Sequence, residues 1–189
     1  MSDDILLENA PESPPSKSGL RNVIEWVIIV AGALVVALVV KTFLLQAFFI
    51  PSLSMSPTLQ IHDRVLVNKV SYDMHDVNRA DVVVFKSPTN DTEIKDLIKR
   101  VVGLPGETIE TRDGRVEIDG VELDEGYLQP DIAPGPPVTR QVIPAGHIFV
   151  MGDNRSNSRD SRVFGPIPES LIVGRAFVKV WPVSDLGLL

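Results

Sequence analysis

Between Trp26 and Val40 the chain reads WVIIVAGALVVALVV, without a charged or polar side chain. With Val23 and Ile24 before it and Phe43 to Leu45 after it, the apolar stretch reaches the ~20 residues that a helix needs to cross a bilayer. Residues 22–45 are therefore expected to form one transmembrane helix. The run is too long for the apolar part of a signal sequence and has no small-x-small cleavage site near its end. Ahead of it, residues 1–21 are rich in Asp, Glu, Ser and Pro and predict a disordered tail. Lys17 and Arg21 before the helix, against Lys41 after it, lean towards a cytoplasmic amino terminus.

Behind the helix the period of the pattern falls to two. DRVLVNKV (63–70), DVVVFK (81–86), DLIKRVVGL (96–104) and HIFVMGD (147–153) have the length and patterning of short strands. Asp-Gly pairs at 113–114 and 119–120 divide ETIETRDGRVEIDGVEL into hairpins. PDIAPGPP (130–137) is a loop by composition, and LIVGRAFVKVWP (171–182) closes the chain as another apolar alternating segment. The expected fold is mostly β, an antiparallel sheet domain over residues 46–189 on one helical stalk, with no repeat of solenoid period.

Composition narrows the function. The 189 residues hold one domain of ordinary size besides the helix, and the mean hydropathy of +0.14 has its source between residues 22 and 50. A net charge of -7 and a pI near 4.9 supply no basic stripe for phosphates, which argues against a nucleic-acid partner. Without cysteine there is no disulfide framework, thiolate nucleophile or zinc-thiolate site, so an exported domain is permitted.

The stretch PSLSMSPTL (51–59) sets three serines directly behind the apolar run and asks what would take a proton from one of them. His62, His75 and His147 are the available histidines; none sits in a G-x-S-x-G or H-E-x-x-H motif, and each reads as a structural or surface residue. A lysine base must be deprotonated near neutral pH, which requires burial among apolar neighbours. In DLIKRVV, strand alternation puts Lys99 in a row with Leu97 and Val101, while Ile98, Arg100 and Val102 share the other face. Lys99 is either such a base or a lysine that lifts its head to water over an apolar surface. Arg100 is excluded as a base, because guanidinium does not deprotonate in proteins. The polar block MGDNRSNSRDSRVFGP (151–166) is either an exposed turn or a scaffold behind a site.

Taken in order, the anchor, IPSLSMSPTL, RADVVVFK, IKRVVGLPGE and GDNRSNSRDSR closely resemble the type I bacterial signal peptidases, membrane-bound Ser-Lys endopeptidases of the S26 kind. The likeness runs from about Phe48 to Pro182. It implies Ser54 as nucleophile, Lys99 as general base, and an oxyanion hole made of the Ser52 hydroxyl and the Ser54 N–H. It also implies that Ser158 orients the lysine, that Asp160 and Arg162 hold the loop in shape, and that Gly152, Asp153, Asn154 and Arg155 support it. Phe48, Ile50, Leu59, Leu97 and Ile98 would line shallow apolar pockets for the small residues of an Ala-x-Ala site, with the peptide added along strand edges. No metal or cofactor is implied; the implied partners are signal peptides of exported preproteins and the lipid bilayer of the plasma membrane. The stretch between Glu107 and His147 is short, which implies a minimal accessory β-ribbon. The sequence departs from the common pattern at Leu53, where glycine is frequent, and at Ala80, where RGD is more usual than RAD. Two rivals are a self-cleaving repressor-type Ser-Lys hydrolase, disfavoured by the anchor, and a tethered scaffold without activity.

Overall fold

The structure is a computed structural model of the chain and describes residues 18–89, 95–130 and 132–189. The chain divides into two compact units between Val39 and Val40. The first contributes α1 (Ser18–Val39), the one helix among the described residues long and apolar enough to cross a membrane. Ser18–Arg21, expected within the tail, are helical here, and the rest of that tail lies outside the described residues. The helix also stops before the expected residue 45. Val40–Leu44 form a single π-helical turn, and Leu45–Phe49 become strand β1. The reason is backbone pairing: from Leu45 opposite Asn68 to Phe49 opposite Arg64, these residues exchange helical hydrogen bonds for a ladder with β2 (Arg64–Asn68).

The second unit continues through α2 (Ser71–Met74), β3 (Val82–Lys86) and β4 (Asp96–Gly103). Next come β5 (Thr108–Arg112), β6 (Arg115–Ile118), β7 (Val121–Glu122) and β8 (Gln141–Val142). The chain ends with β9 (His147–Met151), α3 (Ser161–Phe164), β10 (Ile167–Pro168), β11 (Ile172–Trp181) and β12 (Gly187–Leu188). The main sheet runs β1-β2-β11-β3-β4-β9-β10 with β12 beside β11, and every pairing in it is antiparallel. A smaller sheet, β7-β6-β5-β8, occupies the region of the expected ribbon. At its two tight turns Asp113 and Gly114, then Asp119 and Gly120, all have positive φ, which matches the twist of the flanking strands.

Central position explains why VVVF in β3 is apolar throughout. Val82 and Val84 face a core with Ile50, Met55, Leu59, Val65 and Val67, whereas Val83 and Phe85 face one with Val101, Ile148, Val150 and Ile167. Each such side chain, fully buried, contributes about 1.5–3 kcal/mol. A third cluster joins Ile109, Val116 and Ile118 of the small sheet to Val102, Phe149 and Met151 of the large one. The two sheets are thereby one packed body within this unit.

Candidate active site

The segment after β1 folds as a run of turns whose apolar members turn inward. Met55 and Leu59 are fully buried, and that leaves Ser52 and Leu53 at the surface and Ser54 half-buried between them and Met55. Lys99, on β4 opposite Val83 of β3, is 2% exposed. As an ammonium, its Nζ donates to Ser54 Oγ at 2.7 Å and to the Ile98 carbonyl at 2.8 Å. As a neutral amine it offers a lone pair, and the direction of the first bond reverses, the hydroxyl donating. Burial brings the Lys99 pKa from 10.5 down to about 8, against the opposing pull of the Asp160 and Asp153 carboxylates. Of the two readings open for Lys99, the head that snorkels to water is therefore set aside. Strand alternation also holds: Leu97 and Val101 pack with the Val83 cluster, Ile98 with the Ile50 cluster.

The 151–166 block is more than an exposed turn: Ser156, Asn157, Arg159 and Val163 face solvent, but its acidic residues anchor a buried network. Asp153 and Asp160 are each completely buried. Asp153 takes two hydrogen bonds from Arg100, at 2.9 and 2.7 Å, and one from Thr58 at 2.6 Å, so it ties the residue beside Lys99 to the serine segment. Asp160 accepts from Gly152 N at 2.9 Å and from Arg162 Nε and Nη2 at 2.8 and 2.7 Å. Burial alone would raise its pKa, but the bonds from Arg162 and the Gly152 N–H outweigh that and keep the carboxyl below its usual range. Arg162 Nη1 continues to the Arg155 carbonyl at 2.7 Å. Arg155 in turn meets Glu125, which accepts Tyr127 Oη at 2.7 Å, and Arg100 lies 4.3 Å over the Tyr127 ring. Gly152 allows a close approach to the serine segment: a Cβ there would lie 2.3 Å from both Ser54 O and Ser158 Oγ.

Several expected residues sit differently from what the resemblance implies. Ser158 makes no hydrogen bond to Lys99; its buried Oγ lacks a partner of ordinary geometry, although its dipole helps keep Asp160 ionised. The amine is directed instead at Ser54 and Ile98. Ser52 Oγ donates to Ser54 Oγ at the long distance of 3.4 Å. Beside the pair lies a cleft of about 250 Å³ lined by Ser52, Leu53, Ser54, Leu97, Lys99 and Phe164 among others. Of the five residues proposed to contact a peptide only Leu97 lines it. Ile50 and Leu59 are core residues, 1% and 0% exposed, because the turn at 50–59 folds them under the serines; Phe48 and Ile98 are half-buried against the same core. The three histidines stand elsewhere: His62 against Phe49, His75 against Tyr72, and His147 with its Nδ1 on the Ala145 carbonyl. Thr58, Glu125 and Tyr127 carry no signal in the sequence, and Arg100 is weighed there only as a base. The acidic Glu125 and aromatic Tyr127 lie in a loop, where no periodicity marks them as partners of the 151–166 block.

Comparison with known proteins agrees in one direction. The family model described as "Signal peptidase, peptidase S26" matches residues 23–181. The chain is 40% identical to a signal peptidase I of Leptolyngbya laminosa, over 95% of this chain and 93% of that one. It is 35% identical to signal peptidase IB of Staphylococcus aureus strain COL, over 87% and 93%. A solved signal peptidase I from Enterococcus faecalis V583 aligns with 53% of this chain and 97% of its own, at 33% identity and a TM-score of 0.45.

Proposed function

The chain belongs to the S26 signal peptidase family, and from that premise we propose that it is a single-pass membrane endopeptidase working through a Ser54-Lys99 dyad. The observation that carries this reading is the 2.7 Å separation of Lys99 Nζ and Ser54 Oγ, with the lysine buried and its pKa lowered to about 8. Near neutral pH an accessible fraction of such a lysine is neutral. It takes the Ser54 proton as Oγ attacks the scissile carbonyl, then gives that proton to the departing amine. The acyl-enzyme so formed is hydrolysed by water, with Lys99 again as base.

The tetrahedral oxygen is met by the Ser54 N–H and by Ser52 Oγ, which turns from its long contact with Ser54 to do so. A preorganised donor of this kind lowers the barrier by ~3–4 kcal/mol. Recognition follows from the sheet: β9 pairs with β4 only from Arg100 onward, so Asp96–Lys99 presents an edge to which an extended peptide adds as a strand. Alternate side chains then meet opposite faces, Leu97 and the cleft on one, Ile98 and Phe48 on the other. Leu53, 41% exposed at the mouth of the cleft, narrows it and favours small residues next to the cut bond. Ile50 and Leu59 act from behind by filling the core under these contacts.

In this reading α1 crosses the plasma membrane with its amino terminus in the cytoplasm, residues 46–189 work on the outer side, and the β5–β8 sheet is the accessory ribbon. Phe49 of β1 and Trp181 of β11, which flank Arg64 of β2 on either side and are both about half exposed, suit contact with the interface of the bilayer. The test is cleavage of a preprotein with an Ala-x-Ala site by the purified full chain in detergent. Wild type cuts at that site, while Ser54→Ala and Lys99→Ala do not; cleavage by either variant removes that residue from the mechanism.

A further inference from the structure

The peptide unit between Leu53 and Ser54 has two ends. One is the Ser54 N–H, the proposed oxyanion donor; the other is the Leu53 carbonyl. That carbonyl accepts two hydrogen bonds, from Ser56 N at 3.0 Å and from Asn154 Nδ2 at 3.1 Å. The next carbonyl, Ser54 O, accepts from Asn154 N, also at 3.1 Å. Asn154 therefore grips both peptide planes that flank the nucleophile. Its Oδ1 accepts from Ser156 Oγ at 3.3 Å, which fixes the NH₂ end of the amide towards Leu53. Its backbone follows Asp153, itself fixed to Arg100 and Thr58.

We infer that Asn154 is a positioning residue of the oxyanion hole, its side-chain amide orienting and polarising the Leu53–Ser54 peptide so that the Ser54 N–H meets the developing negative charge. The inference rests on Ser54 being the nucleophile. Two physical facts support it. A peptide unit is planar, so holding its C=O fixes its N–H. A donor on the C=O also draws charge across the amide and strengthens the N–H as donor. A loop tether with no further role would leave a different signature, since loosening the loop weakens peptide binding and moves the lysine. Loss of oxyanion polarisation falls on the transition state alone.

The experiment compares wild type, Asn154→Ala, Asn154→Asp and Ser54→Ala as full chains in detergent, on the same preprotein. Asn154→Ala is expected to lower kcat about tenfold, less than loss of a direct donor, with KM within about twofold and the pH midpoint of the rate unmoved. Asn154→Asp keeps the shape but sets a carboxylate against the Leu53 carbonyl, and should lose more; it also decides the matter if the alanine variant does not fold. A peptide boronic acid, which adds to Ser54 as a tetrahedral anion, should bind about tenfold more weakly to Asn154→Ala, while a non-cleavable peptide of the same sequence binds equally. Unchanged kcat and boronate affinity, or equal weakening of both peptides, overturns the inference. If Ser54→Ala still cleaves, the nucleophile assignment falls first and this falls with it; if Ser54→Ala is inactive and the Asn154 variants are normal, this inference alone is lost.

Discussion

Replacing Lys99 with methionine keeps most of the apolar stem and removes the charge. The wild-type amine is 2% exposed, and burial takes its pKa from 10.5 to about 8. A lysine whose pKa is lower folded than unfolded binds fewer protons in the native state, so stability rises with pH between those two values. Below about pH 8 the full cost is present, roughly 3 kcal/mol for a gap of this size. Between about pH 7 and about pH 9.5 the wild type should therefore gain about 2 kcal/mol of unfolding free energy that Lys99→Met does not gain. The range stops there because Tyr72 and Tyr127, whose hydroxyls are buried and lie against Asp81 and Glu125, have raised pKa values and weaken the fold once their unfolded counterparts ionise. Hydrogen bonds lost with the amine shift the variant's curve without tilting it, which makes the slope the informative quantity. Urea unfolding of the full chain in detergent, read by Trp181 fluorescence with Trp26→Phe as background, gives that slope. Parallel curves for the two proteins would mean that the folded pKa is ordinary, and the reasoning that makes Lys99 a base would fail with it.

Activity should follow the same titration in wild type: kcat/KM rises with pH and levels off above about 8, and Lys99→Arg is inactive because its guanidinium keeps its proton, so turnover by that variant would exclude the lysine as base. Asp153→Asn leaves the buried Arg100 without its counter-charge and should cost about 3–5 kcal/mol in urea unfolding; a loss under about 1 kcal/mol would show the pair to be dispensable. Ala80 sits at φ 70 in the turn before β3, where a Cβ is strained, so Ala80→Gly should stabilise by about 0.5–1 kcal/mol. A lower unfolding midpoint for that variant would contradict the strain.

Length and apolar patterning made much of the large sheet readable: VVVF, LIKRVV and HIFVM became β3, β4 and β9. The row that holds Leu97, Lys99 and Val101 was legible from strand alternation, and the two Asp-Gly turns were legible as well. The end of the helix was not, because Leu44 and Leu45 are as apolar as a membrane span and only the ladder with β2 claims the residues from Leu45 on. Nor could periodicity tell that Ile50 and Leu59 lie under the serines, since a turn has no repeat from which to read a face. Asp153 and Asn154 looked like turn formers. What makes them more is their contact with Arg100, Thr58 and Leu53, all distant in sequence, and long-range contacts leave no local pattern.

The bare Cα of Gly152 has one more consequence. It lets the chain at 152 press against the carbonyl of Ser54 while Asp160 seizes the Gly152 N–H, so hydroxyl, amine and scaffold arrive from separate stretches of chain. No local fragment contains a working centre. Serine and amine come within reach only when the whole sheet has closed around that glycine, and a half-finished molecule holds an ordinary alcohol and an ordinary protonated lysine. On the proposed dyad, the peptidase therefore gains activity only with the completion of its own folding.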